Sequence, residues 1–185
     1  MAHPKILDSS KAALLVVDVQ EAFRDVVADA DRLISRITIA VRAFKILELP
    51  IFVTEQYPKG LGHTVEEIRS ELPNDFPYLE KTAFSSCGAS QLEEGFREAG
   101  SRQVVVCGLE THVCVNQTTH DLLDRGFDVH LLTDCVASRT KQDRRAGLRK
   151  MFASGAVSSS LEMALFELMR DARHEKFKQV QQLIK

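Results

Sequence analysis

The stretch Gln103-Val104-Val105-Val106-Cys107-Gly108-Leu109-Glu110-Thr111-His112-Val113-Cys114 decides the fold. Its first five residues are an apolar, β-branched run that reads as a strand buried on both faces. Gly108 then permits a sharp turn, and Thr111 can cap the helix that follows. Cys114 falls in the first turn of that helix. A thiol there faces the positive end of the helix dipole and unpaired backbone N–H groups, so the placement predicts a thiolate.

The same alternation extends in both directions. Upstream, Ala12-Ala13-Leu14-Leu15-Val16-Val17 is a second continuous apolar run, ending at Asp18. A long helix is predicted over residues 29–47, where Leu33, Ile34, Ile37, Val41 and Phe44 recur at helical spacing. Pro50 to Thr54 reads as a strand, Tyr57 to Thr64 as a loop, and Val65 to Glu71 as a short helix. Pro73 and Pro77 precede an extended piece over residues 79–83. A helix over residues 89–99 ends at Gly100. Downstream, the Cys114 helix runs to Arg125 and closes at Gly126. Asp128 to Asp134 reads as a strand, residues 141–153 as a basic helix, residues 156–158 as a sixth strand, and the tail from Glu162 as helical. Repeated strand–helix units predict an α/β fold, with a parallel sheet and helices on both faces.

Composition bounds the function. The 185 residues suit one domain, residues 1–185, with 44% hydrophobic and 27% charged residues and a formal net charge of −2. Mixed charge predicts neither a nucleic-acid partner nor a membrane partner. The N-terminal residues lack a signal-peptide core. The four cysteines, Cys87, Cys107, Cys114 and Cys135, show no CxxC pairing and read as reduced thiols, so a cytoplasmic location is expected. Cys107 belongs to the core, and the basic run Arg139 to Lys150 reads as a solvated helix face.

Active sites of parallel sheets form at the carboxyl ends of the strands. Asp18, Lys81 and Cys114 all stand at or near such ends. A carboxylate can shuttle a proton to and from a thiol, and an amine can hold the carboxylate ionised. The thiol can then attack an electrophilic carbon, with backbone N–H groups near Glu110, Val113 and Cys114 receiving the oxyanion. Gln20 and Phe23 follow Asp18 closely enough to line a pocket, and Tyr57 and Phe84 are candidate aromatic walls. His112 neighbours Cys114, but consecutive helical residues point in different directions, so it reads as a local hydrogen-bonder.

Three segments carry a resemblance: Leu15-Val16-Val17-Asp18-Val19-Gln20, Lys81-Thr82-Ala83-Phe84-Ser85 and Gly108-Leu109-Glu110-Thr111-His112-Val113-Cys114. Together they resemble the isochorismatase-like cysteine hydrolases over nearly the whole chain. The loop Thr54 to Gly62, the run Leu122 to Gly126 and the tail from Phe177 resemble the isochorismatase domain-containing subgroup. The resemblance implies a three-layer Rossmann-like fold with six parallel strands in the order 3-2-1-4-5-6. It also implies an Asp18–Lys81–Cys114 triad, a cis peptide bond at Leu109–Glu110 and a homo-oligomer.

The chain departs from some relatives. Family nicotinamidases carry an Asp-x-His metal pattern after the second strand. Here that region reads Glu55-Gln56-Tyr57, with His63 nearby, so neither a metal nor another cofactor is expected. Members that hydrolyse the vinyl ether of isochorismate lack the nucleophilic cysteine. Cys114 therefore points to attack on a small amide-like C–N bond through a thioester-type intermediate. The alternative is a binding or scaffold protein that keeps the fold with little turnover. A phospho-receiver fails because no acceptor Asp stands at residues 81–84, and no GxGxxG follows any strand.

Overall fold

The computed structural model describes residue 3 and residues 5–185. Among the described residues there are six strands: β1 (Ala12–Val17), β2 (Ile51–Gln56), β3 (Leu79–Lys81), β4 (Gln103–Leu109), β5 (Asp128–Ala137) and β6 (Val157–Ser159). They form one sheet in the order β3-β2-β1-β4-β5-β6, every pairing parallel. Strand order reverses between β1 and β4, at the two runs that read most clearly as doubly buried strands.

All six residues of β1 are buried, and they divide by parity between two cores. Ala12, Leu14 and Val16 join the core built with Ile37, Val41 and Phe44 of α1 (Ala30–Ile46). Leu161, Leu165 and Leu168 of α7 (Leu161–Met169) and Val180 of α8 (Phe177–Leu183) complete that side. Ala13, Leu15 and Val17 face the other core. There they meet Leu92 and Phe96 of α4 (Ser90–Glu98), Val115 and Leu122 of α5 (Cys114–Asp124), and Met151 of α6 (Lys141–Ala153). Period-2 side-chain alternation with apolar residues at both parities explains why the strand reads as an unbroken apolar run.

Several boundaries differ from the sequence reading. β5 continues to Ala137, past the polar Asp134 where the reading ends it. Asp134 is accommodated because its carboxylate pairs with Arg36 and accepts the Leu161 N–H at 2.9 Å. The β4–β5 register also shifts between Val106 and Gly108, which lets the longer strand continue. Two short helices, α2 (Pro58–Leu61) and α3 (Glu66–Arg69), occupy the segment after β2. Pro58 starts α2 inside the span read as a loop; proline suits that position because its fixed φ is helical and its missing N–H has no helical partner there. The tail is two helices, because Arg170 turns to a φ of 63° and ends α7.

Candidate active site

The sheet brings Asp18, Lys81 and Cys114 to one edge. Val17 is in register with Thr54 on one side and Gly108 on the other, and Gln56 is in register with Lys81. Asp18 leaves β1 with a φ of 50°, a region that Asp tolerates better than most residues. Gly108 has a φ of 122°, and a Cβ on it would lie 2.1 Å from the Val17 carbonyl oxygen. Only glycine lets β4 run this close to β1, which sets Cys114 across from Asp18.

Lys81 reaches across β2. Its Nζ donates to Asp18 Oδ2 at 2.6 Å and Gln56 Oε1 at 2.8 Å, and to the carbonyls of Phe84 at 3.0 Å and Ala83 at 3.2 Å. Both side chains of the Lys81–Asp18 pair are fully buried. The other carboxylate oxygen of Asp18 accepts from Thr54 Oγ1 at 2.7 Å. Burial raises the Asp18 carboxyl above its usual range, while Lys81 and Thr54 pull it back.

Cys114 is 5% exposed and is the first residue of α5. Its thiol is pushed up to about 12, first by burial and then by the Asp18 carboxylate, against the pull of Lys81. The expectation of a resting thiolate is therefore overturned. The helix start supplies unpaired N–H groups as foreseen, but desolvation and a facing anion outweigh them. The resting pair is a thiol opposite a carboxylate.

The turn before Cys114 contains a cis peptide bond at Leu109–Glu110, as the resemblance implies. The Val113 N–H donates to the Glu110 carbonyl at 3.0 Å, so it reaches an oxyanion only as a shared donor. The Glu110 and Cys114 N–H groups have no acceptor among the described residues. The Glu110 carboxylate accepts from the Arg139 N–H at 3.0 Å and its Nε–H at 3.1 Å. His112 Nδ1 lies 3.0 Å from Ser138 Oγ, the local role expected of it.

The four candidate pocket residues separate. The Gln20 amide is spent on the backbone. Its Nε2 donates to the carbonyls of Gln56 at 3.0 Å and Gly62 at 2.6 Å, and its Oε1 accepts from the Gln56 N–H at 2.8 Å. It fastens the loop after β2, with both amide N–H donors used on backbone carbonyls. Phe23 packs against the α1-side core. Tyr57 and Phe84 are both exposed, at 54% and 55%. Tyr57 lines a cavity of about 390 Å³ with Lys59, Glu80, Lys81 and Thr82.

Thr54 and Gln56 were missed in the sequence. Nothing in a strand's apolar pattern marks which terminal polar residue turns toward a neighbouring strand's carboxylate or amine. Glu55 is also buried and accepts from Thr64 N at 2.7 Å and Thr64 Oγ1 at 2.8 Å, and its second oxygen lies 3.0 Å from His63 Nδ1. Among the described residues, no group of three or more His, Cys, Asp or Glu is placed to hold a metal ion. All four cysteines are free thiols; three are buried and Cys87 is half-buried.

A thiol, a carboxylate and an ammonium at the strand-order reversal of a 3-2-1-4-5-6 sheet define an α/β protein of the isochorismatase-like hydrolase fold. The chain belongs to the isochorismatase family, and the family's Isochorismatase domain model matches residues 12–163. It is 39% identical over 178 residues to isochorismatase domain-containing protein 2 of Xenopus laevis, covering 96% of this chain and 85% of that protein. The MAR1 ribonuclease of Caenorhabditis elegans superposes with a TM-score of 0.91 at 38% identity, covering 97% of this chain and 92% of that one. YcaC from Pseudomonas aeruginosa, solved with hexane-2,5-diol and covalent acrylamide, gives 0.89 at 27% identity, with the same coverage of 97% and 92%.

Proposed function

We propose that this chain is a cysteine hydrolase of a small amide-like substrate, with Cys114 as nucleophile, Asp18 as proton carrier and Lys81 as the fixed positive charge beside them. The observation that carries this reading is the buried Lys81–Asp18 pair at 2.6 Å with the Cys114 thiol facing the same carboxylate. The covalent acrylamide of the Pseudomonas relative is consistent with a nucleophilic site in that protein.

The chemistry follows from the resting thiol. As Cys114 Sγ attacks the carbonyl carbon, its proton passes to the Asp18 carboxylate and a C–S bond forms. The Cys114 and Glu110 N–H groups donate to the developing oxyanion. Collapse breaks the C–N bond, and protonated Asp18 gives its proton to the departing amine. Water then loses a proton to Asp18 as it attacks the thioester. The C–S bond breaks, Asp18 returns the proton to sulfur, and a carboxylic acid leaves. The raised proton affinity of Asp18 suits a group that must hold a proton through half of each turnover. Lys81 stays fixed and balances the carboxylate's charge.

The same reading takes the functional unit as a homo-oligomer in a reducing compartment, where four free thiols persist. The experiment is a screen over small primary and secondary amides, with an RNA substrate as a further arm. Wild type is compared with Cys114→Ala and Asp18→Asn. Turnover of an amide that both substitutions reduce by about 10³-fold or more supports the proposal. Turnover that survives in Cys114→Ala rejects it. Tight binding without turnover across the panel favours a binding protein, and cleavage confined to RNA favours a nuclease.

A further inference from the structure

Behind Asp18 runs a chain of buried hydroxyl groups that the triad does not include. Thr54 Oγ1 lies 2.7 Å from Asp18 Oδ1 and 3.2 Å from Ser86 Oγ. The Ser86 N–H donates to Thr118 Oγ1 at 2.8 Å. Asp18, Thr54, Ser86 and Thr118 are all 0% exposed. Asp18 directly follows β1, and the other three belong to β2, to the 3₁₀ turn Ser86–Gly88, and to α5 one helical turn beyond Cys114. The chain therefore joins the carboxylate to the helix that carries the nucleophile.

The direction of these bonds is set by counting hydrogens. A hydroxyl has one hydrogen. A carboxylate only accepts, so the Thr54 hydrogen goes to Asp18. Toward Ser86, Thr54 must then accept, and the Ser86 hydroxyl donates. Both hydroxyl dipoles thus point at Asp18 Oδ1, while Lys81 holds Oδ2. Donors aimed at a charged oxygen favour the charged form.

We propose that Thr54 and Ser86 are positioning residues that hold Asp18 ionised and oriented for the Cys114 proton. The inference rests on the reading of Asp18 as the group that takes that proton. Thr54 does this directly, and Ser86 acts through Thr54 while anchoring the turn to α5. Removing the Thr54 hydroxyl takes one donor from the carboxylate and leaves the Ser86 donor without its acceptor. Asp18 then binds its proton more tightly, and the site stops working at a higher pH than before.

The test reads the rate of Cys114 carbamidomethylation by iodoacetamide against pH, by mass spectrometry, so no substrate is needed. Wild type is compared with Thr54→Val, Thr54→Ser, Ser86→Ala and Asp18→Asn. The acid limb of the profile should move up by about one pH unit in Thr54→Val, a roughly tenfold loss of rate at a pH below the limb. It should move less, in the same direction, in Ser86→Ala, and return to the wild-type position in Thr54→Ser. A residue that merely packs would change the rate without moving the limb. If Asp18→Asn alters the profile and Thr54→Val leaves the limb in place, the positioning role is overturned and the role of Asp18 stands. If Asp18→Asn also leaves the profile unchanged, both readings fall.

Discussion

The proton on Cys114 stays because burial and the Asp18 carboxylate both resist a second negative charge, and that has consequences in alkali. The thiol is pushed from an ordinary 9.0 up to about 12. In the unfolded chain it ionises near the ordinary value. Below that value the protonated thiol's contribution to stability is fully present; it is lost as pH climbs toward the folded value. Wild type should lose stability relative to Cys114→Ala at up to about 1.4 kcal/mol per pH unit in this window. Chemical denaturation from pH 8 upward measures it, and parallel curves would show that the thiol ionises normally. Thiolate absorbance should agree, with no difference between wild type and Cys114→Ala at neutral pH. Asp18, Lys81 and Cys114 were legible in the sequence because each lies at or just beyond the end of a strand, where parallel sheets collect function. The state of Cys114 was not, since the helix start is a local feature and the facing carboxylate lies 96 positions away in the chain.

At the scale of elements, α6 governs the turn that carries Cys114. Gly147 of α6 sits on that turn, where an added Cβ would lie 2.9 Å from the Thr111 carbonyl oxygen and 3.0 Å from His112 Cα. Both contacts are backbone atoms of the segment between the cis bond and the nucleophile. Gly147→Ala should cost about 1–3 kcal/mol by overpacking and should also slow Cys114 alkylation, because the turn must shift. A useful contrast is Thr140, which caps the same helix by accepting the Asp143 N–H at 3.1 Å. Thr140→Ala should cost about 1 kcal/mol and leave alkylation unchanged. Denaturant midpoints and labelling rates for the two variants separate these cases. Helices with strong periodicity, such as α1, were read to within a residue at each end. The end of β5 was not, because a polar residue inside a strand looks like an exit unless its partners, here Arg36 and Leu161, are known.

For the whole molecule, the strand order was expected from a family resemblance, whereas the alternation of strand and helix was readable from apolar runs alone. Runs as short as β3 and β6, three residues each, carry little periodic signal, and their places at the sheet edges come from tertiary pairing. Metal dependence is a property of the assembled site. The position that could offer ligands holds Glu55, whose carboxylate is already engaged by Thr64 and His63. Protein stripped with chelator and dialysed should keep its hydrolytic rate on whichever amide the screen identifies. Loss of rate with restoration by zinc, iron or manganese would overturn that expectation.

The pairing of Val17 with Gly108 has a kinetic consequence. It closes a loop of roughly ninety residues, and non-local parallel pairing of this kind is slow to form compared with local helices. Helical signal can therefore return early when the denatured chain is diluted into buffer. The capacity of Cys114 and Asp18 to act on one another can return only after the central strands have met, so recovery of labelling behaviour serves as a clock for that non-local step of refolding.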